Sequence, residues 1–296
     1  IMKSIMYHYI RNKNKLFPYY DILEKKDYIK QIKKFSKTGL INSYEELFLD
    51  NDKYLPTFDD GIKDHIYAAE ILRKYNAVGL FFIPTSPLKN NEILDVHKTH
   101  LIVGKIKGLE ALNELEKYLN KNKIKNYYNQ KEKVKYGMAY KENNDELYKN
   151  EFKKIMNYYG NLKLKHKILD YLLKKFEIYA KPKNYYLNKK EIRYLSSLGM
   201  IIGSHSESHT LLSRLSFKKQ FEEIKNSKIF LEKIINKNID TFCYPYGGKI
   251  SYNRNTLKIL KKLKFKLAYT VEYRDINFKD IKNKPYELPR YDCNLF

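Results

Sequence analysis

Tyr54-Leu55-Pro56-Thr57-Phe58-Asp59-Asp60-Gly61-Ile62-Lys63-Asp64-His65-Ile66-Tyr67-Ala68-Ala69 runs from a short apolar stretch through two adjacent carboxylates and a glycine into a helical pattern. Neighbouring side chains of a strand face opposite ways, so Asp59 and Asp60 at a strand end cannot both be ordinary surface charges. Gly61 lets the chain turn sharply behind them. The same order, apolar run then turn then helix, recurs along the chain. Strand-like runs fall at Ser4–Tyr9, Leu55–Phe58, Val78–Ile83, Met200–Gly203, Thr241–Tyr244, Leu267–Val271 and Glu287–Arg290. Helical spacing falls between them at 21–38, 62–75, 189–198, 217–235 and 253–263. About seven strands, each followed or preceded by a helix, predict an α/β fold with a parallel sheet closed or nearly closed into a barrel, where chemistry collects at the carboxyl ends of the strands. From about 89 to 186 the composition shifts to Lys and Asn, with no proline between Pro87 and Pro182 and helical periodicity at 109–119, 147–156 and 168–178. This reads as a helical insertion in a single domain spanning 1–296.

Composition narrows the function classes. Lys and Arg outnumber Asp and Glu by 58 to 34, a formal +24. That charge would attract nucleic acid, anionic lipid or acidic glycan. Only seven of the cations are Arg, at 11, 73, 193, 214, 254, 274 and 290, and the Lys are spread over every segment instead of forming a block, which reads as mostly solvated helix faces, and no nucleic-acid partner is expected. No run approaches the ~20 apolar residues of a membrane span. Ile1–His8 is too short an apolar stretch for a signal-peptide core. The expectation is a cytoplasmic protein, at the inner face of the membrane if it associates with one peripherally, or one from which an export signal has been trimmed. Cys243 and Cys293 are too few for a disulfide framework and have no metal-ligand spacing.

Gly203-Ser204-His205-Ser206-Glu207-Ser208-His209 follows a buried-looking strand directly. Histidines four apart on one helical turn or tight loop face the same way. Two imidazoles and one carboxylate are a common ligand set for a catalytic divalent metal, with a position left open for water. His97 and His100, which open the Lys-rich segment, form a rival pair.

Thr57-Phe58-Asp59-Asp60-Gly61, His205-Ser206-Glu207-Ser208-His209 and Tyr244-Pro245-Tyr246-Gly247, in that order, resemble the successive motifs of the polysaccharide deacetylases, the NodB-like carbohydrate esterases of family 4. The resemblance covers most of the chain outside the helical segment. It implies a distorted (β/α) barrel and a metal-dependent hydrolase that removes an N-acetyl group from an amino sugar. Position by position it makes Asp60, His205 and His209 the metal ligands, Asp59 the general base, and Tyr246 the residue whose backbone N–H holds the oxyanion. The implied cofactor is a divalent metal, zinc first, with Co2+ or Ni2+ as substitutes. The implied partner is an N-acetylated saccharide in glycan, sugar-nucleotide or lipid-linked form, including phosphate-bearing ones.

Two departures from the common pattern matter. Cys243 stands where many relatives carry an Arg that orients the base. Arg290, in Glu287-Leu288-Pro289-Arg290-Tyr291-Asp292, is the expected replacement, reaching Asp59 across the barrel mouth. No histidine follows His209, so the general acid has to come from upstream. His8, in Met6-Tyr7-His8, resembles a Tyr-His motif of members whose late motifs have moved to the N-terminus, and His65 is the fallback. The altered third motif leaves open a non-catalytic glycan- or anion-binding barrel, and a further alternative is a deformylase or other C–N hydrolase with the same metal chemistry.

Overall fold

A computed structural model describes residues 1–137, 139 and 146–296 of the chain. They form two compact units, one of residues 1–12, 22–92 and 182–296 and the other of residues 13–21 and 93–181.

The first unit is built on seven strands: β1 (Lys3–Tyr7), β2 (Tyr54–Phe58), β3 (Leu80–Ile83), β4 (Ile201–Ser204), β5 (Thr241–Cys243), β6 (Leu267–Tyr269) and β7 (Tyr291–Asp292). They lie in the order β6-β5-β4-β3-β2-β1-β7, and every pairing is parallel. Leu288, three residues ahead of β7, bridges Tyr269 of β6 in parallel, with Thr270 N–H donating to its carbonyl and its own N–H to Ala268. The segment from Leu288 to Asp292 therefore touches β6 first and β1 next, which closes the sheet into the expected distorted (β/α) barrel. Its wall is apolar on both faces because helices cover the outside. Leu80-Phe81-Phe82-Ile83 is buried throughout, the continuous apolar run that such sheets require. Phe58 stacks on Phe81 with ring centroids 4.4 Å apart and on Tyr7 at 5.3 Å, tying three neighbouring strands together.

The helices begin where the sequence supplies caps. Asn188 and Asn253 form capping boxes with Glu191 and Thr256, and the Ser216 side chain accepts from Lys219 N–H ahead of the helix Phe217–Ile235. The last strand differs from expectation: Glu287–Arg290 was the anticipated run, whereas the ladder on β1 is Tyr291–Asp292.

The second unit is helical, with helices at Asp95–Lys105, Gly108–Lys121, Gln130–Tyr136, Leu147–Lys154 and Leu162–Lys175. Gly108–Lys121 packs against both Leu147–Lys154 and Leu162–Lys175, and Asp95–Lys105 against Leu162–Lys175. Inside it, the buried Lys98 ammonium sits 2.7 Å from Asp170 Oδ1 and 3.2 Å from His166 Nδ1. No helix among the described residues is long and apolar enough to cross a membrane.

Candidate active site

The strand register sets which side chains meet. Tyr7 pairs with Phe58, and Asp59 N–H continues that ladder to Tyr7 O at 3.0 Å, so His8 and Asp59 leave adjacent strands at the same level. Ile83 pairs with Ser204, and His205 N–H reaches Ile83 O. Asp60 and Gly61 both take left-handed backbone, φ 77° and 58°, and this reversal directs the two carboxylates to different partners.

Asp60 faces the histidines. His205 Nε2 and His209 Nε2 each lie 3.3 Å from Asp60 Oδ1, and all three residues are buried. One carboxylate oxygen and two imidazole nitrogens thus lie within 4.8 Å of one another. His205 Nδ1–H donates to Cys243 O at 2.8 Å, which fixes the ring's orientation with Nε2 turned to Asp60. Burial opposes charge on His205. The carboxylates of Asp60 and Asp59 nevertheless hold its proton affinity above the ordinary imidazole range. A pocket with that donor set and that field fits a divalent cation. The histidine pair sits on a loop, not on a helix.

Asp59 faces the other way, into a buried guanidinium. Arg290 Nη1 and Nη2 donate to Asp59 Oδ1 and Oδ2 at 2.7 and 2.8 Å. Nη1 also donates to Thr57 Oγ1 at 3.1 Å and Nε to Thr270 O at 3.0 Å, so the fork is held at both ends. Burial alone would raise the Asp59 pKa, but the Arg290 charge and its hydrogen bonds outweigh it and bring the carboxyl down to about 2. Arg290 lies between the residue that bridges β6 and the strand that pairs with β1, fully buried. Its guanidinium reaches Asp59 beyond β2, Cys243 of β5 and Thr270 beyond β6.

Cys243 does more than leave an arginine position empty. Its Sγ lies 3.0 Å from Arg290 Nη2 and 3.5 Å from Asp59 Oδ2, and burial pushes the thiol pKa up, so a neutral S–H packs against the ion pair. Among the described residues the donor groups that converge are Asp60-His205-His209 and Asp59-His205-Cys243. The rival pair His97 and His100 belongs to neither: both lie on the helix Asp95–Lys105 of the other unit.

His8 stands at the same place. Its Nε2 is 4.0 Å from Asp59 Oδ2 and 3.9 Å from Asp60 Oδ2, and its side chain is 35% exposed. His65, the fallback acid, is fully buried, bounded by the rings of Phe58 and Phe81. Burial lowers its pKa to about 4, and its Nε2–H donates to the His8 carbonyl at 3.0 Å. That bond ties it to the His8 backbone. Tyr246 is in the left-handed region at φ 67°, in a turn closed by Gly247 N–H to Tyr244 O, and its ring lies 5.0 Å from that of His209.

The chain's sequence matches a family model described as polysaccharide deacetylase over residues 50–268. Comparison with curated proteins found no match. Among solved structures the chain is similar to the Streptococcus pyogenes deacetylase PplD in complex with acetate, at a TM-score of 0.61 and 18% identity over 98% of this chain and 91% of that one. It is similar to a de-N-acetylase from Aggregatibacter actinomycetemcomitans at 0.58 and 12%, over 98% and 93%. It also resembles IcaB from Ammonifex degensii at 0.54 and 12%, over 98% and 90%. These likenesses give the fold, and the sequence match covers most of the chain. The barrel, the ordered motifs at its strand ends and that match together make the chain a member of the polysaccharide deacetylase family.

Proposed function

We propose that the protein is a metal-dependent hydrolase that removes the N-acetyl group from an amino sugar. The observation that carries this reading is the split between the two adjacent aspartates, Asp59 held by Arg290 and Asp60 turned to His205 and His209.

In this reading Asp60, His205 and His209 hold the cation. A divalent ion bound there, zinc by its ligand set or Co2+ or Ni2+ in its place, supplies Lewis-acid polarisation of the amide carbonyl and a water acidified toward neutral pH. Asp59 is the general base: its carboxylate stays ionised because Arg290 holds both oxygens, and it takes the proton of the attacking water. Arg290 and Thr57 fix the orientation of that carboxylate. The Tyr246 backbone N–H donates to the oxyanion of the tetrahedral intermediate. His8 returns a proton to the sugar nitrogen as the C–N bond breaks, which releases acetate and the free amine. Its partial exposure suits a group that meets a substrate arriving from solvent. The de-N-acetylase and the acetate-bound deacetylase of the same fold agree with this product.

The substrate class we propose is a sugar in glycan, sugar-nucleotide or lipid-linked metabolism, in a phosphate- or lipid-linked form that the formal +24 charge favours. With it we propose a cytoplasmic location and peripheral contact with the membrane's inner face. The test is acetate release from a panel of N-acetyl sugars, sugar nucleotides and oligosaccharides by Zn2+-loaded protein. Asp59→Asn, with metal still bound, is expected to lose about 100-fold or more in kcat. Full activity in that variant would remove Asp59 as the base. No turnover by the wild type on any member of the panel would favour a binding barrel.

A further inference from the structure

The histidine loop is held by a carboxylate that takes no part in the chemistry above. Ser206 and His209 are non-glycine residues in the left-handed region, at φ 61° and 54°. That backbone is sterically disfavoured for L residues, so a loop with two such positions in five needs outside support. Glu223, on the outer helix Phe217–Ile235, supplies it. Glu223 Oε2 accepts from Glu207 N–H at 3.0 Å and from Ser208 N–H at 2.8 Å, while Oε1 accepts from the Ser208 hydroxyl at 2.6 Å. Two successive N–H groups converging on one anion form a backbone nest. The same peptide group is pinned from its other side, where the Glu207 carbonyl accepts from Thr85 N–H at 3.1 Å and from Ser86 N–H at 2.8 Å. The Glu207 side chain is tethered in turn to Lys89 and to Asn226.

We infer that Glu223 is a positioning residue for the metal site: its carboxylate holds the strained segment between His205 and His209 so that both Nε2 atoms converge on Asp60. The inference rests on the metal-site reading above. Asp60 and His205 are fixed by strand ends, whereas His209 is carried at the far end of the strained loop. The spacing between the two imidazoles is what Glu223 controls.

The experiment is Zn2+ affinity by competition with a chromogenic chelator, measured on the full chain and on three variants, with amide hydrogen exchange on the metal-free proteins. Glu223→Ala is expected to bind Zn2+ about 10-fold more weakly or worse, with faster exchange at the Glu207 and Ser208 amides. Glu223→Gln keeps an oxygen for the two N–H groups and an amide for the Ser208 hydroxyl, and is expected to restore most of the affinity. Gln220→Ala, on the same helix and bonded to Leu215 O and Thr256 instead of the loop, is expected to lower Tm while leaving Zn2+ affinity alone. If Glu223→Ala does not fold, Glu223→Asp, which withdraws the carboxylate by one methylene, stands in with the same expectation. Wild-type affinity in whichever of the two folds, or an equal loss in Gln220→Ala, overturns the positioning role. Failure of the wild type to bind Zn2+ at all overturns the metal reading beneath it, an outcome separate from the variant series.

Discussion

At the scale of single residues, adjacent aspartates with opposite environments are the centre of the site. Asp59 and Arg290 form a buried pair, and in such a pair the cost of desolvation is offset only when geometry is good and remaining donors are used. Both Asp59 oxygens take an Arg290 N–H, and the guanidinium spends its other contacts on Thr57, Thr270 and Cys243. His65 shows the opposite case, a titratable group kept neutral. Its folded pKa is lowered to about 4 by burial, against about 6.5 in an unfolded chain. Between those values the unfolded state binds the extra proton, so stability is complete above the upper one and is lost as pH falls toward the lower. Denaturant titrations at pH 7 and pH 5 are expected to show the wild type losing ~2 kcal/mol more than His65→Phe over that interval. An equal loss in both proteins would mean that His65 is not the buried neutral imidazole described here. Sequence reading singled out Asp59, Asp60, His205 and His209 as unusual residues at strand ends, and His8 and Arg290 through the departures from the family's motifs; the structure brings these six together. It missed Glu223, which looks like any carboxylate on a helix surface, and it read Cys243 as a loss when the thiol packs into the ion pair.

At the scale of elements, the strand that leads into the histidine loop depends on having no side chain at one position. Gly203 pairs with Phe82 across the sheet. A Cβ on it would lie 2.5 and 2.6 Å from the Phe82 ring and 2.7 Å from Thr241 Oγ1. Gly203→Ala must push that ring aside in a close-packed wall and is expected to cost ~1–3 kcal/mol. Because His205 is two residues further on, Zn2+ affinity should fall with it. An unchanged denaturation midpoint would show that the wall has slack. Elements were legible where pattern and punctuation agreed. Phe217–Ile235 was bounded correctly because its apolar stripe lies between the Ser216 cap and a left-handed Asn236. Asp95–Lys105 was not read as a helix at all. Eight of its residues are buried, including His97, Lys98 and Thr99, so it has no polar face to create a periodic signal. The final strand was placed a few residues early because Pro289, lacking an N–H, interrupts the ladder between the Leu288 bridge and Tyr291–Asp292. That interruption is also what lets one short segment serve β6 and β1 in turn.

At the scale of the whole molecule, charge is the property that acts on a substrate before any contact forms. The formal +24 arises from Lys spread along the chain and not from one basic block. Such a distribution steers anions by its summed field, and a screening length of ~8 Å at physiological salt limits its range. An N-acetylated amino sugar is itself neutral, so the field discriminates only through whatever the sugar is attached to. For a phosphate-linked substrate, kcat/KM is expected to fall about 10-fold between low and high ionic strength, the lower end of electrostatic steering. For the matching neutral saccharide it should change little, since a neutral substrate is not steered by the field. The measurement is kcat/KM for both substrates across a NaCl series, with the metal site kept saturated. Parallel curves would withdraw the phosphate-bearing substrate and leave the deacetylase reading intact. Diverging curves would tie the basic composition to substrate choice, because screening by salt acts on the charge of the phosphate.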